Sequence, residues 1–320
     1  MSSVTRLLPL TSALAATVLL AGCGPQGGTS SGSGRQAVAS FYPLAWVTER
    51  VAGDAWTVQN LTQPGQEPHD LELTIAQTAA LEDADLVVLA EGFQPAVDGT
   101  VEGTDAPVVD AASVVELLPA SAEEHEGETE EEHAEHAGEE GEEGHDHGDL
   151  DPHFWLDPLL VADFADAVAD ELADVDPDGA ATYADNAAAL RADLESLDAD
   201  YTAGLASCER TTTVVSHQAF GYLTRYGLDF EPIAGLSPDA EATAADLGHL
   251  QELITEDGVT TVFSERLVSP KMAQTLADDL GVSTTVLYPI EGLSDETAEE
   301  DYLSLMRENL TALQQANDCS

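Results

Sequence analysis

Apolar and polar residues alternate over residues 36–41 and again over 57–61, the period of a strand, while residues 44–52 and 74–84 repeat their apolar positions at helical spacing. Residues 86–90 form a short, fully apolar run and residues 107–109 another, as in strands covered on both faces. Strands that alternate with helices in this way predict a βα lobe with a parallel sheet. The rhythm pauses after a helical stretch that ends near residue 173. Asp176-Pro177 then opens a longer segment, 178–206, with Tyr183, Leu190, Leu194, Leu197, Tyr201 and Leu205 on one helical stripe. Some 28 helical residues would span about 40 Å, enough for a strut between lobes. Past residue 208 the alternation restarts through 211–215, 218–226, 230–234, 240–256, 259–263, 270–280, 284–288 and 295–315. The expected architecture is α/β. A first lobe over 36–175 and a second over 208–320, each with a parallel sheet, are joined by a long rigid linker helix over 176–207.

Two segments fall outside this rhythm. Residues 1–23 carry one base, Arg6, then an apolar run to residue 21 and Leu20-Ala21-Gly22-Cys23, which reads as a secretory signal with a lipoprotein cleavage site at Cys23. An uncleaved anchor is the alternative reading. Residues 24–35 are rich in Gly and Ser, the composition of a flexible tether. Residues 121–149 contain 14 acids and five histidines (His125, His133, His136, His145 and His147) with almost nothing apolar, so this stretch is expected to be a disordered loop inserted in the first lobe. It is either an auxiliary metal collector or a solvated charge run.

Charge narrows the partners. The chain of 320 residues carries 62 acids against 9 bases, a formal charge of −53, and such a field repels phosphate backbones, which excludes nucleic acid. With Cys23 lipidated, Cys208 and Cys319 remain; in an oxidising extracytoplasmic space an even pair points to a disulfide, with two free thiols as the alternative.

Four histidines lie outside the insertion. His69 stands after a strand and before a helix, His217 closely follows the apolar run 211–215, and His153 precedes an aromatic pair and a proline. Ligands of parallel α/β lobes gather at the carboxyl ends of strands, where His69 and His217 are expected. Glu291, in Tyr288-Pro289-Ile290-Glu291-Gly292 after the last strand, occupies the same kind of edge. His249, mid-helix, reads as structural. Imidazoles are strong zinc donors and four ligands complete a tetrahedron, but spacing alone leaves a shared metal site and unconnected histidines equally open.

On these motifs the chain resembles the metal-specific solute-binding proteins of bacterial ABC transporters, the cluster A-I family, in its zinc branch. The resemblance runs from about Ala37 to the C-terminus. It is carried by Glu67-Pro68-His69-Asp70, His153-Phe154-Trp155-Leu156-Asp157-Pro158, Ser216-His217-Gln218-Ala219-Phe220-Gly221-Tyr222 and Val262-Phe263-Ser264-Glu265. The acidic, histidine-rich insertion before the second histidine is typical of that branch. The resemblance implies two βα lobes joined by a rigid helix, with His69, His153 and His217 as metal ligands. Many relatives supply the fourth ligand as an aspartate where this chain has Tyr288; a subset reads Asn-Pro-Leu-Glu, and its glutamate aligns with Glu291. Glu67 or a water is the rival for that position. The implied protein is a non-enzymatic monomer, anchored to the cell membrane through Cys23, that captures Zn2+ as transported cargo and delivers it to an ABC permease. A manganese or iron carrier of the same fold and a zinc hydrolase with Glu291 as its base are the competing readings.

Overall fold

The structure is a computed structural model and describes residues 34–120, 150–240 and 242–320. Cys23, the tether and the five histidines of the insertion lie outside the described residues. Arg35–Ala39 (β1), Tyr42–Ala52 (α1), Trp56–Asn60 (β2), Ile75–Glu82 (α2), Leu86–Leu89 (β3), Pro95–Val101 (α3), Val108–Asp110 (β4) and Ala111–Val114 (α4) build the first lobe. Pro158–Val175 (α5) and Ala180–Gly204 (α6) follow. The second lobe runs through Thr212–His217 (β5), Asp229–Ala234 (β6), Ala244–Glu256 (α7), Thr261–Ser264 (β7), Lys271–Leu280 (α8), Ser283–Val286 (β8) and Tyr302–Ala316 (α9).

Each lobe holds a four-stranded, all-parallel sheet, ordered β2-β1-β3-β4 in the first and β6-β5-β7-β8 in the second. The order is the same in both lobes, and the chain reverses direction across the sheet beside β1 and β5, where parallel sheets open a crevice for ligands. Successive strand residues serve different cores. Leu86, Val88, Val215 and Phe263 face one continuous core that also takes in the long helices. Val87 and Leu89 turn to a second core in the first lobe, Val214 and Val262 to a third in the second. That two-sided burial is why these strands read as unbroken apolar runs.

Helix α6, 25 residues and about 38 Å long, buries Tyr183, Ala187, Leu190, Leu194, Leu197 and Tyr201. At its first turn the Tyr183 hydroxyl donates to Asp176 Oδ2 (2.6 Å) and accepts from Trp56 Nε1 (2.9 Å) of the first lobe. At its last turn Tyr201 donates to the Met306 carbonyl (2.7 Å), and Gln314 Nε2 to that of Gly204 (3.1 Å), both in α9 of the second lobe. Cys208 and Cys319 are joined by a disulfide that fastens the chain after α6 to the end of α9. The helix is therefore pinned to a different lobe at each end, and the described residues pack as one compact unit.

Two local expectations need correction. The stretch 218–226 is not an α-helix; only Gly221–Tyr226 coils, as a 3-10 segment ending at Gly227 in the left-handed region (φ 88°). The last helix starts at Tyr302, not 295, because the Asp301 carboxylate accepts from Ser304 N (2.8 Å) and sets its N-terminus there. Residues 95–101, left unassigned by the sequence pattern, form α3, begun by Pro95 and held by the buried Val97.

Candidate metal centre

Four side chains from four separate segments meet where the lobes face each other. His69 sits in the loop between β2 and α2, whose course is fixed by buried Gln94: its Nε2 donates to the Pro68 carbonyl and to Thr62 Oγ1, both at 3.0 Å. His217, expected to follow the strand closely, is the last residue of β5 itself. His153 immediately precedes the 3-10 turn Phe154–Leu156, and Glu291 follows β8.

Glu291 is aimed by its neighbours. Asn309 of α9 brackets Tyr288, accepting from its N–H (2.8 Å) and donating to its carbonyl (2.6 Å). Trp155 Nε1 donates to the Pro289 carbonyl (2.7 Å), tying this turn to the His153 segment. Between them Ile290 is fully buried in the left-handed region (φ 60°), a conformation that costs a β-branched residue about 1–3 kcal/mol. The packing that overcomes this cost leaves the following side chain little choice of direction.

The donor atoms converge. Glu291 Oε1 lies 3.5 Å from His69 Nε2, 3.4 Å from His153 Nε2 and 3.3 Å from His217 Nε2. All four donor atoms lie within 4.8 Å of one another. The edge of a tetrahedron is about 1.63 times its bond, so zinc bonds of about 2.0–2.1 Å require donor separations of about 3.3–3.4 Å. The four residues are 2%, 0%, 0% and 1% exposed in chain order. His153 Nε2, His217 Nε2 and Glu291 Oε1 are buried without a hydrogen-bond partner, an arrangement proteins avoid unless something else satisfies those atoms.

The opposite edge of two rings is also fixed. His153 Nδ1 is 2.7 Å from Asp151 Oδ1, and His217 Nδ1 is 2.6 Å from Glu265 Oε1, which Ser216 also contacts. A carboxylate only accepts, so each ring keeps its proton on Nδ1 and turns the Nε2 lone pair to the centre. Burial opposes protonation of both rings. The neighbouring carboxylates outweigh it, holding His153 above the ordinary histidine value and His217 well above it. His69, with burial dominant, is pushed down to about 4. For Glu291, burial is outweighed by the three imidazoles, which hold its carboxyl well below the usual range.

The donor cluster contains the four residues singled out from the sequence and not Glu67. Glu67 turns Oε2 back to the N–H of His69 (3.1 Å), and burial together with the charges of Glu291 and Asp70 pushes it up to about 9. Tyr288 is pushed up to about 12, chiefly by burial. His249 is exposed on α7 and serves neither core nor centre. Asp151 was not anticipated, although a carboxylate two residues before a ligand histidine is a readable sign. Glu265 was quoted only as part of a motif.

Comparison with known proteins places this geometry among relatives. The family model "ZnuA: Zinc-uptake complex component A periplasmic" matches residues 37–316. The zinc-binding lipoprotein AdcA of Streptococcus pneumoniae (strain ATCC BAA-255 / R6) is 36% identical over 294 residues, 88% of this chain. The chain spans only about half of that relative, 55%. The high-affinity zinc uptake system protein ZnuA of Bacillus subtilis (strain 168) is 36% identical over 307 residues, covering 92% of this chain and 93% of that protein. Among solved structures, the Zn(II)-bound ZnuA-like domain of S. pneumoniae AdcA superposes with a TM-score of 0.71 at 33% identity over 89% of this chain and 99% of that one. The laminin-binding protein Lmb of Streptococcus agalactiae, titled a bifunctional protein with adhesin and metal transporting activity, gives 0.75 at 28% identity over 88% and 99%.

Proposed function

The chain belongs to the ZnuA family of zinc-uptake components, and on that premise we propose that it is the extracytoplasmic binding component of a zinc ABC importer. It takes Zn2+ between its lobes on His69, His153, His217 and Glu291 and hands it to a membrane permease. The observation that carries this reading is the set of buried donors spaced at 3.3–3.5 Å about one carboxylate oxygen. Three imidazoles and one carboxylate favour zinc over manganese, whose sites take more oxygen. Four protein donors already complete a tetrahedron, which leaves no open position for the water that a zinc hydrolase needs. Anchoring through a lipid on Cys23 accords with the lipoprotein relatives. Among the described residues no helix is long and apolar enough to cross a membrane.

Metal analysis and titration of the protein lacking residues 1–23, with and without residues 121–149, test this reading. One tight zinc site is expected in both forms, since all four donors lie outside the insertion. Weaker sites are expected only where the insertion is present. Loss of the tight site on deletion, or preferential retention of manganese or iron in competition, would overturn it.

Binding is also expected to strengthen with pH. In the metal-free protein the pKa values of His153 and His217 are raised, so their rings hold the Nε2 protons that zinc must displace to higher pH than an ordinary histidine does. The raised values extend the proton's competition above the ordinary histidine range, and its grip weakens as pH climbs past them. His69, at about 4, adds nothing in that window. Calorimetry in buffers of different ionisation enthalpy between pH 6 and 8 should register proton release and rising affinity; an affinity flat across that range contradicts the assignment.

A further inference from the structure

The segment that carries His217 also reaches Asp151, which braces the far side of His153. Tyr222, in the 3-10 segment after β5, is 3% exposed, and its hydroxyl makes two bonds into the first lobe. It donates to the Asp151 carbonyl (2.7 Å) and accepts from the N–H of Leu118 (2.9 Å). Asp151 N–H in turn donates to the Leu118 carbonyl (2.8 Å), and Pro119 and Leu150 pair as an antiparallel bridge. The Asp151 backbone is thus held on both sides while its Oδ1 accepts from the His153 N–H (2.9 Å) and faces its Nδ1 (2.7 Å). One residue earlier, Gly221 lies so close that a Cβ there would stand 2.9 Å from Asp151 Oδ2. Asp151 is 2% exposed, and its other oxygen is engaged twice, so it cannot turn aside without loosening His153.

From this geometry we infer that Tyr222 and Gly221 are positioning residues for His153, acting across the lobe boundary through Asp151. The inference rests on zinc being held at this centre. One stretch of the second lobe then governs two ligands: it supplies His217 directly and sets the orientation of His153 from behind. Movement of that stretch away from the first lobe withdraws one donor and releases the brace of the other together. Loss of two ligands is thereby linked to a single displacement.

The test is zinc affinity of the intact chain by chelator competition, in a double-mutant cycle. Outer partners of metal-bound histidines contribute about 10- to 100-fold in affinity. Asp151→Ala is expected within that range, and Tyr222→Phe near its lower end, about tenfold. The pair should bind no more weakly than Asp151→Ala alone. Tyr226→Phe is the control. It removes a hydroxyl of the same segment bonded to Asp198 (2.8 Å), away from the centre, and should leave affinity at the parental value. In zinc-loaded protein labelled with 15N-histidine, the Nδ1 proton resonance of His153 should shift in Tyr222→Phe and stay in place in Tyr226→Phe. Gly221→Ala, which keeps every hydroxyl, should also weaken binding, which covers the case of a poorly folded Tyr222→Phe. Parental affinity in Tyr222→Phe or in Gly221→Ala, or effects of Tyr222→Phe and Asp151→Ala that multiply, would overturn the inference. A parent chain that binds no zinc would instead refute the function on which it rests.

Discussion

Glu291→Ala is expected to weaken zinc binding by more than about a hundredfold, since even partners one shell beyond the metal contribute about 10- to 100-fold. Glu291 presents the one oxygen on which three Nε2 atoms converge. It is also the only carboxylate among the four donors. Its charge offsets part of the ion's in a site closed to water. Alanine leaves three imidazoles and room for a water, so binding should persist at reduced strength. The turn should survive the change, because Asn309 and Trp155 hold it through the backbone of Tyr288 and Pro289. Tyr288→Phe, by contrast, should stay within about twofold, its phenol being kept neutral by burial. Competition against a chromophoric chelator measures both. Parental affinity in Glu291→Ala would return the fourth position to Glu67 or a water.

The second large effect concerns stability. The bond between Cys208 and Cys319 closes a loop of 111 residues that contains the whole second sheet. In the chain-entropy account such a loop stabilises the fold by about 5 kcal/mol, mainly by restricting the unfolded chain. Cys208→Ser with Cys319→Ser should lower the midpoint of thermal unfolding by roughly 5–10 °C while zinc affinity at 25 °C stays near the parental value, because the bond sits at the outer ends of α6 and α9. A midpoint unchanged in the double variant, or two alkylatable thiols in the nonreduced, unfolded parent, would remove the bond from the account.

How far the centre could be read from the chain depended on where each contribution is encoded. Strands buried on both faces announce themselves as unbroken apolar runs, and Val87-Val88 and Val214-Val215 did so. The heptad-like stripe from Tyr183 to Tyr201 marked α6 within two residues at each end. His69, His217 and Glu291 were legible as polar residues at strand edges, a position fixed by local pattern. Their convergence was not, since it depends on how two separately wound sheets face one another, and no local period encodes that. The orienting carboxylates were harder still. Asp151 and Glu265 stand among 62 acids, and only the pairing across 48 residues of His217 with Glu265 separates the second of them from its neighbours. Tyr222 stood only as the last residue of the motif that begins at Ser216. Its hydroxyl acquires meaning only from the opposite lobe. The shortened last helix failed for a different reason: residues 295–300 carry a single apolar position, Ala298, so no period marks the start, which the Asp301 cap sets.

The enclosure of the four donors also governs time. With each at or below 2% exposure, and with Gly65 N–H donating to the Leu293 carbonyl (2.6 Å) to join the His69 loop to the Glu291 turn, no scavenger can reach the ion while the lobes stay shut. Residence then depends on how often the protein opens, not on how fast water replaces a ligand on zinc. A chelator added in growing excess should strip the ion at a rate that soon stops rising, and that plateau is the opening rate itself. A permease that parted the lobes would, by the same logic, shorten the lifetime of a complex that otherwise opens only at its own rate.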